Sequence, residues 1–288
     1  MRKSAADFDP EILDLYDGYV HGRLSKRDFL RLSGAGGAVV LAQLTPNYAL
    51  AQQVAPDDPE IDTARVRYAS PDGHGEVEGL MAWPSDMSEP VGAVLVVHEN
   101  RGLNPYIEDV VRRTAKAGYL ALGPDGLTSL GGYPGNDDDG RAMQRSLEPS
   151  RLLADFFAGF EFIRDHERSS GKAGAVGFCY GGGVCNALAV AYPNMACSVP
   201  FYGRQAALAD VPQISAPLLL QYAENDPRIN AGWPDYESAL IANNVTYEAH
   251  IYPGTNHGFH NDSTPRYDAE AAALAWQRTL DWFARYLR

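Results

Sequence analysis

Gly174-Ala-Val-Gly-Phe-Cys-Tyr-Gly-Gly182 is a short apolar run that breaks into Gly177-Phe178-Cys179-Tyr180-Gly181. This is the G-x-S-x-G nucleophile-elbow pattern with cysteine in the serine position. Glycine is required at both flanks because the turn from strand to helix is sharp, and a Cβ there would collide with the neighbouring strand or helix. Cys179 would stand at the head of a helix, where unpaired N–H groups and the helix dipole favour a thiolate. The alternative is a Gly-rich turn around a small core cysteine.

The flanking sequence decides between them. Gly92-Ala-Val-Leu-Val-Val-His98 is a continuous apolar run of the kind buried on both faces of a parallel sheet. Tyr119 to Pro124, Ala173 to Phe178, Ala196 to Tyr202 and Pro217 to Tyr222 repeat that character. Helix-like stretches lie between and after them, at Pro105 to Ala117, Pro149 to Arg168, Tyr180 to Ala191, Trp233 to Asn243 and Asp268 to Leu287. Arg65 to Tyr68 and Val77 to Trp83, separated by Pro71-Asp72-Gly73, predict an antiparallel hairpin at the sheet edge. The expected fold class is therefore α/β, with a mainly parallel central sheet and helices on both faces.

An elbow nucleophile on such a sheet needs an acid and then a histidine later in the chain, each on a loop after a strand. Asp226, in Ala223-Glu-Asn-Asp-Pro227, and His257, in Gly254-Thr-Asn-His-Gly-Phe259, meet that demand in order. Asp226 would orient the imidazole, and His257 would take the thiol proton and return one to the leaving alkoxide. Taken singly, Asp226 also reads as a turn residue before proline and His257 as a surface-loop histidine. His98-Glu-Asn-Arg-Gly102 follows the first strong parallel strand, so the backbone amides of Asn100 and Tyr180 are the expected oxyanion donors. Physics alone leaves Glu99 as a solvent-facing glutamate, because a carboxylate beside a thiol opposes its ionisation.

Together, Glu99, Gly177-Phe-Cys-Tyr-Gly-Gly182, Asp226 and His257-Gly-Phe259 resemble the dienelactone hydrolase (carboxymethylenebutenolidase) family of the α/β-hydrolase superfamily, over about Ile61 to Leu287. The resemblance implies an α/β-hydrolase fold and a Cys179, Asp226, His257 triad. It also implies that Glu99 accepts a hydrogen bond from the resting thiol and takes its proton when substrate binds. Family members clamp a substrate carboxylate with two arginines. Here the matching stretches, Asp125 to Gly135 and His257 to Asn261, contain none, and neither Ser129 nor Asn261 supplies the charge of a guanidinium. Arg101, Arg204 and Arg228 are the candidates for a different anion contact, with surface solvation as the alternative. Tyr133, Tyr180, Tyr202 and Trp233 are candidates for an aromatic wall suited to an uncharged lactone or small ester, with core packing as the competing account.

The chain of 288 residues divides into an extension, residues 1–51, and a catalytic domain, residues 52–288. The extension carries six basic and six acidic residues, so the net charge of −13 falls on the catalytic part. That surface argues against nucleic acid and anionic membrane as partners. Asp137-Asp-Asp139 reads as a solvated acidic loop, with a metal site as the alternative. Ser25-Lys-Arg-Asp-Phe-Leu-Arg31, the apolar stretch Leu32 to Leu44 and Ala49-Leu-Ala51 resemble a twin-arginine export signal with lysine in the first arginine position. Its apolar run is too short to span a bilayer. Export to the periplasm is the expectation from this stretch. The alternative is a cytoplasmic protein whose N-terminal arm, helical from Phe8 to Leu24, packs on the domain or on a second subunit in a homo-oligomer. Cys185 and Cys197 either pair or are small buried residues. No dinucleotide fingerprint, P-loop or ligand cluster at zinc spacing is present, so hydrolysis is expected to need no cofactor and no metal. The expected activity is hydrolysis of a lactone or small ester. The alternatives are a thioesterase or peptidase on the same scaffold, or a non-catalytic binding protein.

Overall fold

A computed structural model describes residues 3–288. Three helices come first: α1 (Pro10–Val20), α2 (Lys26–Leu32) and α3 (Gly37–Leu44). The hairpin β1 (Ile61–Ser70) and β2 (Gly75–Pro84) follows, then β3 (Val91–Val97), α4 (Pro105–Lys116), β4 (Leu120–Pro124), α5 (Asp137–Ser146) and α6 (Pro149–Arg164). The chain continues through β5 (Ser169–Phe178), α7 (Tyr180–Ala191), β6 (Cys197–Phe201), β7 (Leu218–Asn225) and α8 (Pro227–Asn230). It closes with α9 (Trp233–Ala242), β8 (Tyr247–Asn256) and α10 (Ala269–Leu287).

All eight strands form one sheet in the order β1-β2-β4-β3-β5-β6-β7-β8. The β1–β2 and β2–β4 pairs are antiparallel, and the others are parallel. Successive residues of a strand face opposite sides, and β3 is apolar on both. Leu95 and Val97 pack with Phe156 and Phe160 of α6 and Leu188 of α7. Val94 and Val96 pack with Tyr106 and Val110 of α4 and Phe283 of α10. Helix starts follow local chemistry: Asn104 accepts from the Ile107 amide with Pro105 opening α4, and Asp268 accepts from the Ala271 amide at the start of α10.

One expectation changes, and one open alternative is decided. Asp137-Asp-Asp139 is not a solvated loop but the first turn of α5, capped by Asn136, where carboxylates suit the positive helix end. Asp137 is buried, and its partners are Arg101, Tyr48 and Tyr133. Cys185 and Cys197 do not pair; both are free and buried.

Residues 3–51 fold onto the catalytic domain. Leu13, Tyr16, Tyr19, Phe29, Leu41 and Leu44 make their own apolar cluster. The twin-arginine-like part of the stretch that resembles an export signal is α2, capped by Ser25, with Phe29 fully buried, and its apolar part holds α3. The arm is tied down by the Asn47 amide on the Ser263 carbonyl, and just after it Gln53 bonds to Asp262 and the Val54 amide to Asp109.

Candidate active site

β5 delivers Cys179 into the elbow at φ 56°, ψ −111°, a conformation that is strained for any residue bearing a Cβ. Strand, turn and helix meet this closely only through glycine. A Cβ on Gly177 would lie 2.2 Å from the Gly181 carbonyl oxygen, and one on Gly181 would lie 2.3 Å from that of Val97. Tyr180 is the first residue of α7, so its N–H has no partner one turn back. Asn100, in the turn after β3, and Tyr180 line the same cleft as Cys179.

β7 and β8 run longer than their apolar cores and end at Asn225 and Asn256, which sets Asp226 and His257 at the same sheet edge as the elbow. Asp226 caps α8 by accepting from the Ile229 amide. Its Oδ2 also accepts a 2.5 Å hydrogen bond from His257 Nδ1. That fixes the tautomer and leaves His257 Nε2 buried without another hydrogen-bond partner among the described residues.

A second imidazole stands at the thiol, and sequence reasoning missed it. His21, at the end of α1, has Nε2 3.3 Å from Cys179 Sγ. Its Nδ1 donates to the Asp17 carbonyl at 2.8 Å and lies 3.0 Å from the Asp17 carboxylate. The His21 and His257 rings meet edge-on with centroids 4.7 Å apart. Ligand atoms of His21, Cys179 and His257 all lie within 4.8 Å of one another, so these three form a donor set able to hold a metal ion. Asn100 Nδ2 donates to the Val20 carbonyl, and Arg228 and Arg266 approach Asp17 to 3.7 Å. Residues 158 positions apart in the chain carry no spacing signal, so only the packed arm reveals this pair.

Burial alone would push the Cys179 thiol up, but the imidazoles of His257 and His21 outweigh it and bring it down to about 5. Burial opposes charge on His257 too, yet the thiolate and Asp226 raise it to about 10. His21 is raised, against its own burial, by Cys179 and Asp17. Alkylation of Cys179 by iodoacetamide is therefore expected to rise with pH through about 5 and to be level by pH 7, with the adduct located by mass spectrometry. An unperturbed thiol titrates at about 8.5. A midpoint there would show that the imidazoles do not hold a thiolate.

The other predicted residues divide. Glu99 is buried, but its Oε2 accepts from Arg101 Nη2 at 2.5 Å and Asn261 Nδ2 at 2.8 Å. Among the described residues no hydrogen bond joins it to Cys179, so the thiol contact implied for it is replaced by the two imidazoles. Arg101 is not a substrate contact: it is buried, and its Nη1 donates to Asp137 at 2.7 Å. Tyr133 is corrected likewise, since its hydroxyl is held by Asp137 and its amide by Asp125, outside the lining of the cleft. Trp233 packs on Tyr222 and Tyr236. Tyr202 does line the cleft, at φ 36°, with its ring 4.9 Å from that of His257. His98, also missed, donates from Nδ1 to the Glu99 carbonyl and accepts the Gly126 amide at Nε2, which pins the turn after β3.

The cleft above Cys179 has a volume of about 1090 Å³. Its walls are largely apolar, with Leu147, Leu152, Phe157, Val184 and Leu208, while Arg141, Arg145, Arg204 and Arg228 face it against Asp210 and Asp235. Cys179 itself is partly exposed to it.

The model of the Dienelactone hydrolase family matches residues 77–287. The chain belongs to the dienelactone hydrolase family. A "Putative carboxymethylenebutenolidase" of Saccharolobus solfataricus is 31% identical over 248 residues, covering 73% of this chain and 94% of that protein. The "Putative hydrolase fragment YghX" of Escherichia coli K12 is 64% identical over 107 residues, covering 37% of this chain and 92% of that protein. Among solved structures, a "Putative Dienelactone Hydrolase" from Klebsiella pneumoniae superposes with a TM-score of 0.68 at 26% identity, covering 78% of this chain and 99% of that one. Residues 1–38 match a separate model described as YqhI-like. As a dienelactone hydrolase family member with this sheet, the protein is a hydrolase of lactone or ester type that acts on small molecules. Among the described residues no helix is long and apolar enough to cross a membrane.

Proposed function

We propose that the protein hydrolyses lactones or small carboxylic esters through a covalent thioester on Cys179. The observation that carries this reading is the partly exposed Cys179 at a strained elbow, with an Asp-held imidazole beside it and a cleft above it. The Cys179 thiolate attacks the carbonyl carbon, and the amides of Asn100 and Tyr180 receive the oxyanion. His257, oriented by Asp226, supplies the proton to the leaving alkoxide. Glu99 positions the site through Arg101 and Asn261 rather than by touching the thiol.

The apolar walls favour an uncharged acyl group, and Arg204 and Arg228 supply an anion contact in place of the absent clamp. Turnover of p-nitrophenyl acetate and of dienelactone by the full chain tests the reading. Both are expected to be hydrolysed, and one equivalent of iodoacetamide on Cys179 is expected to stop both. Continued turnover after complete alkylation would refute it.

A further inference from the structure

Two Asp–His pairs flank one thiol. In each, Nδ1 is engaged by its own aspartate, Asp226 for His257 and Asp17 for His21. In each, Nε2 is the nitrogen left for the sulfur, at 3.3 Å for His21 and, for His257, buried without another hydrogen-bond partner among the described residues. A triad needs only one such pair. We propose that His21, carried by the N-terminal arm, is a catalytic residue: the base that takes the proton of water when the acyl-thioester on Cys179 is hydrolysed.

This rests on the reading of Cys179 as nucleophile. The arm is built onto the site by specific contacts. Tyr19 and Tyr48 each donate at 2.5 Å, to Asp138 and Asp137, Arg266 lies over the Tyr16 ring at 5.2 Å, and Asn100 holds the Val20 carbonyl one residue before His21. It forms a wall of the site rather than a plug, because His21 and Cys179 both line the open cleft and Cys179 stays partly exposed. Arg228 Nη2 lies 3.2 Å from His21 Nε2 and 3.3 Å from His257 Nδ1. Acylation of Cys179 removes the thiolate that raises His21, and burial then favours its neutral form. His257, bonded to Asp226, holds the acid's proton, and the His21 of the acyl-enzyme is the base.

The steps balance on that division. Sγ bonds to the carbonyl carbon, the bond to the alkoxide breaks, and the His257 proton goes to the alkoxide oxygen to release alcohol. Water then adds to the thioester carbon and gives its proton to His21 Nε2. The C–S bond breaks, releasing the carboxylic acid and restoring the thiolate. His21 then gives its proton to solvent in the cleft that it lines, and His257 takes one up before the next turnover.

Stopped-flow hydrolysis of p-nitrophenyl acetate by full-length His21→Ala and His21→Gln tests this, with folding checked by circular dichroism. A stoichiometric burst of p-nitrophenol is expected to survive while steady-state turnover falls about 10²-fold, with an acetyl adduct accumulating on Cys179 by mass spectrometry. Turnover that is unchanged or raised in a folded variant would overturn the proposal, the second result marking the arm as an inhibitory cap. Loss of the burst together with turnover in both variants would also overturn it, leaving His21 an ordering residue. Failure of the nucleophile reading is separate: it shows as turnover without Cys179, whatever His21 does.

Discussion

Cys179→Ala is expected to lose p-nitrophenyl acetate hydrolysis by about 10⁴-fold or more, because removing the nucleophile removes the covalent route and leaves only the oxyanion donors and binding. The fold should survive, since the substitution deletes one sulfur from a partly exposed position and the elbow strain is unchanged. Cys179→Ser should also stay far below the native enzyme. The imidazoles bring a thiol down to about 5, but a hydroxyl starts too high to ionise beside them. Steady-state rates of the three proteins over pH 5 to 9 decide the matter. An alanine variant as active as the native protein would mean that catalysis lies elsewhere in the cleft, and the reading of the elbow would fall.

The largest effect on stability is expected at Arg101. Its guanidinium joins Glu99 and Asp137, and all three side chains are nearly excluded from solvent. Burial acts against the charge on Arg101, but the two carboxylates outweigh it and raise its pKa. Arg101→Ala leaves two buried carboxylates without their cation, which costs about 3–5 kcal/mol. For a chain of this size that is a fall in Tm of roughly 6–20 °C, readable by calorimetry at neutral pH. Activity should fall as well, because Glu99 and its neighbour Asn100 lose the tie that fixes the turn after β3. A Tm within 2 °C of native would show that solvent or neighbouring groups already satisfy both carboxylates.

Much of the site was legible because its signals are local. The apolar runs of β3, β5, β6 and β7 announce strands buried on both faces, and a glycine on each side of Cys179 announces the elbow. Asp226 and His257 could be picked out because a strand end is visible in the chain a few residues before each. Other features depend on partners far away in sequence. Asp137 reads as one of three solvated carboxylates until Arg101, Tyr48 and Tyr133 are placed around it. Arg101 and Tyr133 lie near the catalytic loops in the chain, but their side chains bond to Asp137.

The sequence by itself determined the mainly parallel α/β sheet and the strand-turn-helix around Cys179, since each is written in short local patterns. Only the tertiary structure decided what surrounds the thiol. Whether α1 packs across the mouth of the sheet depends on the arm's own apolar cluster and on contacts to Asn100, Asp137, Asp138 and Arg266. Those contacts bring Asp17 and His21 to Cys179 across most of the length of the chain.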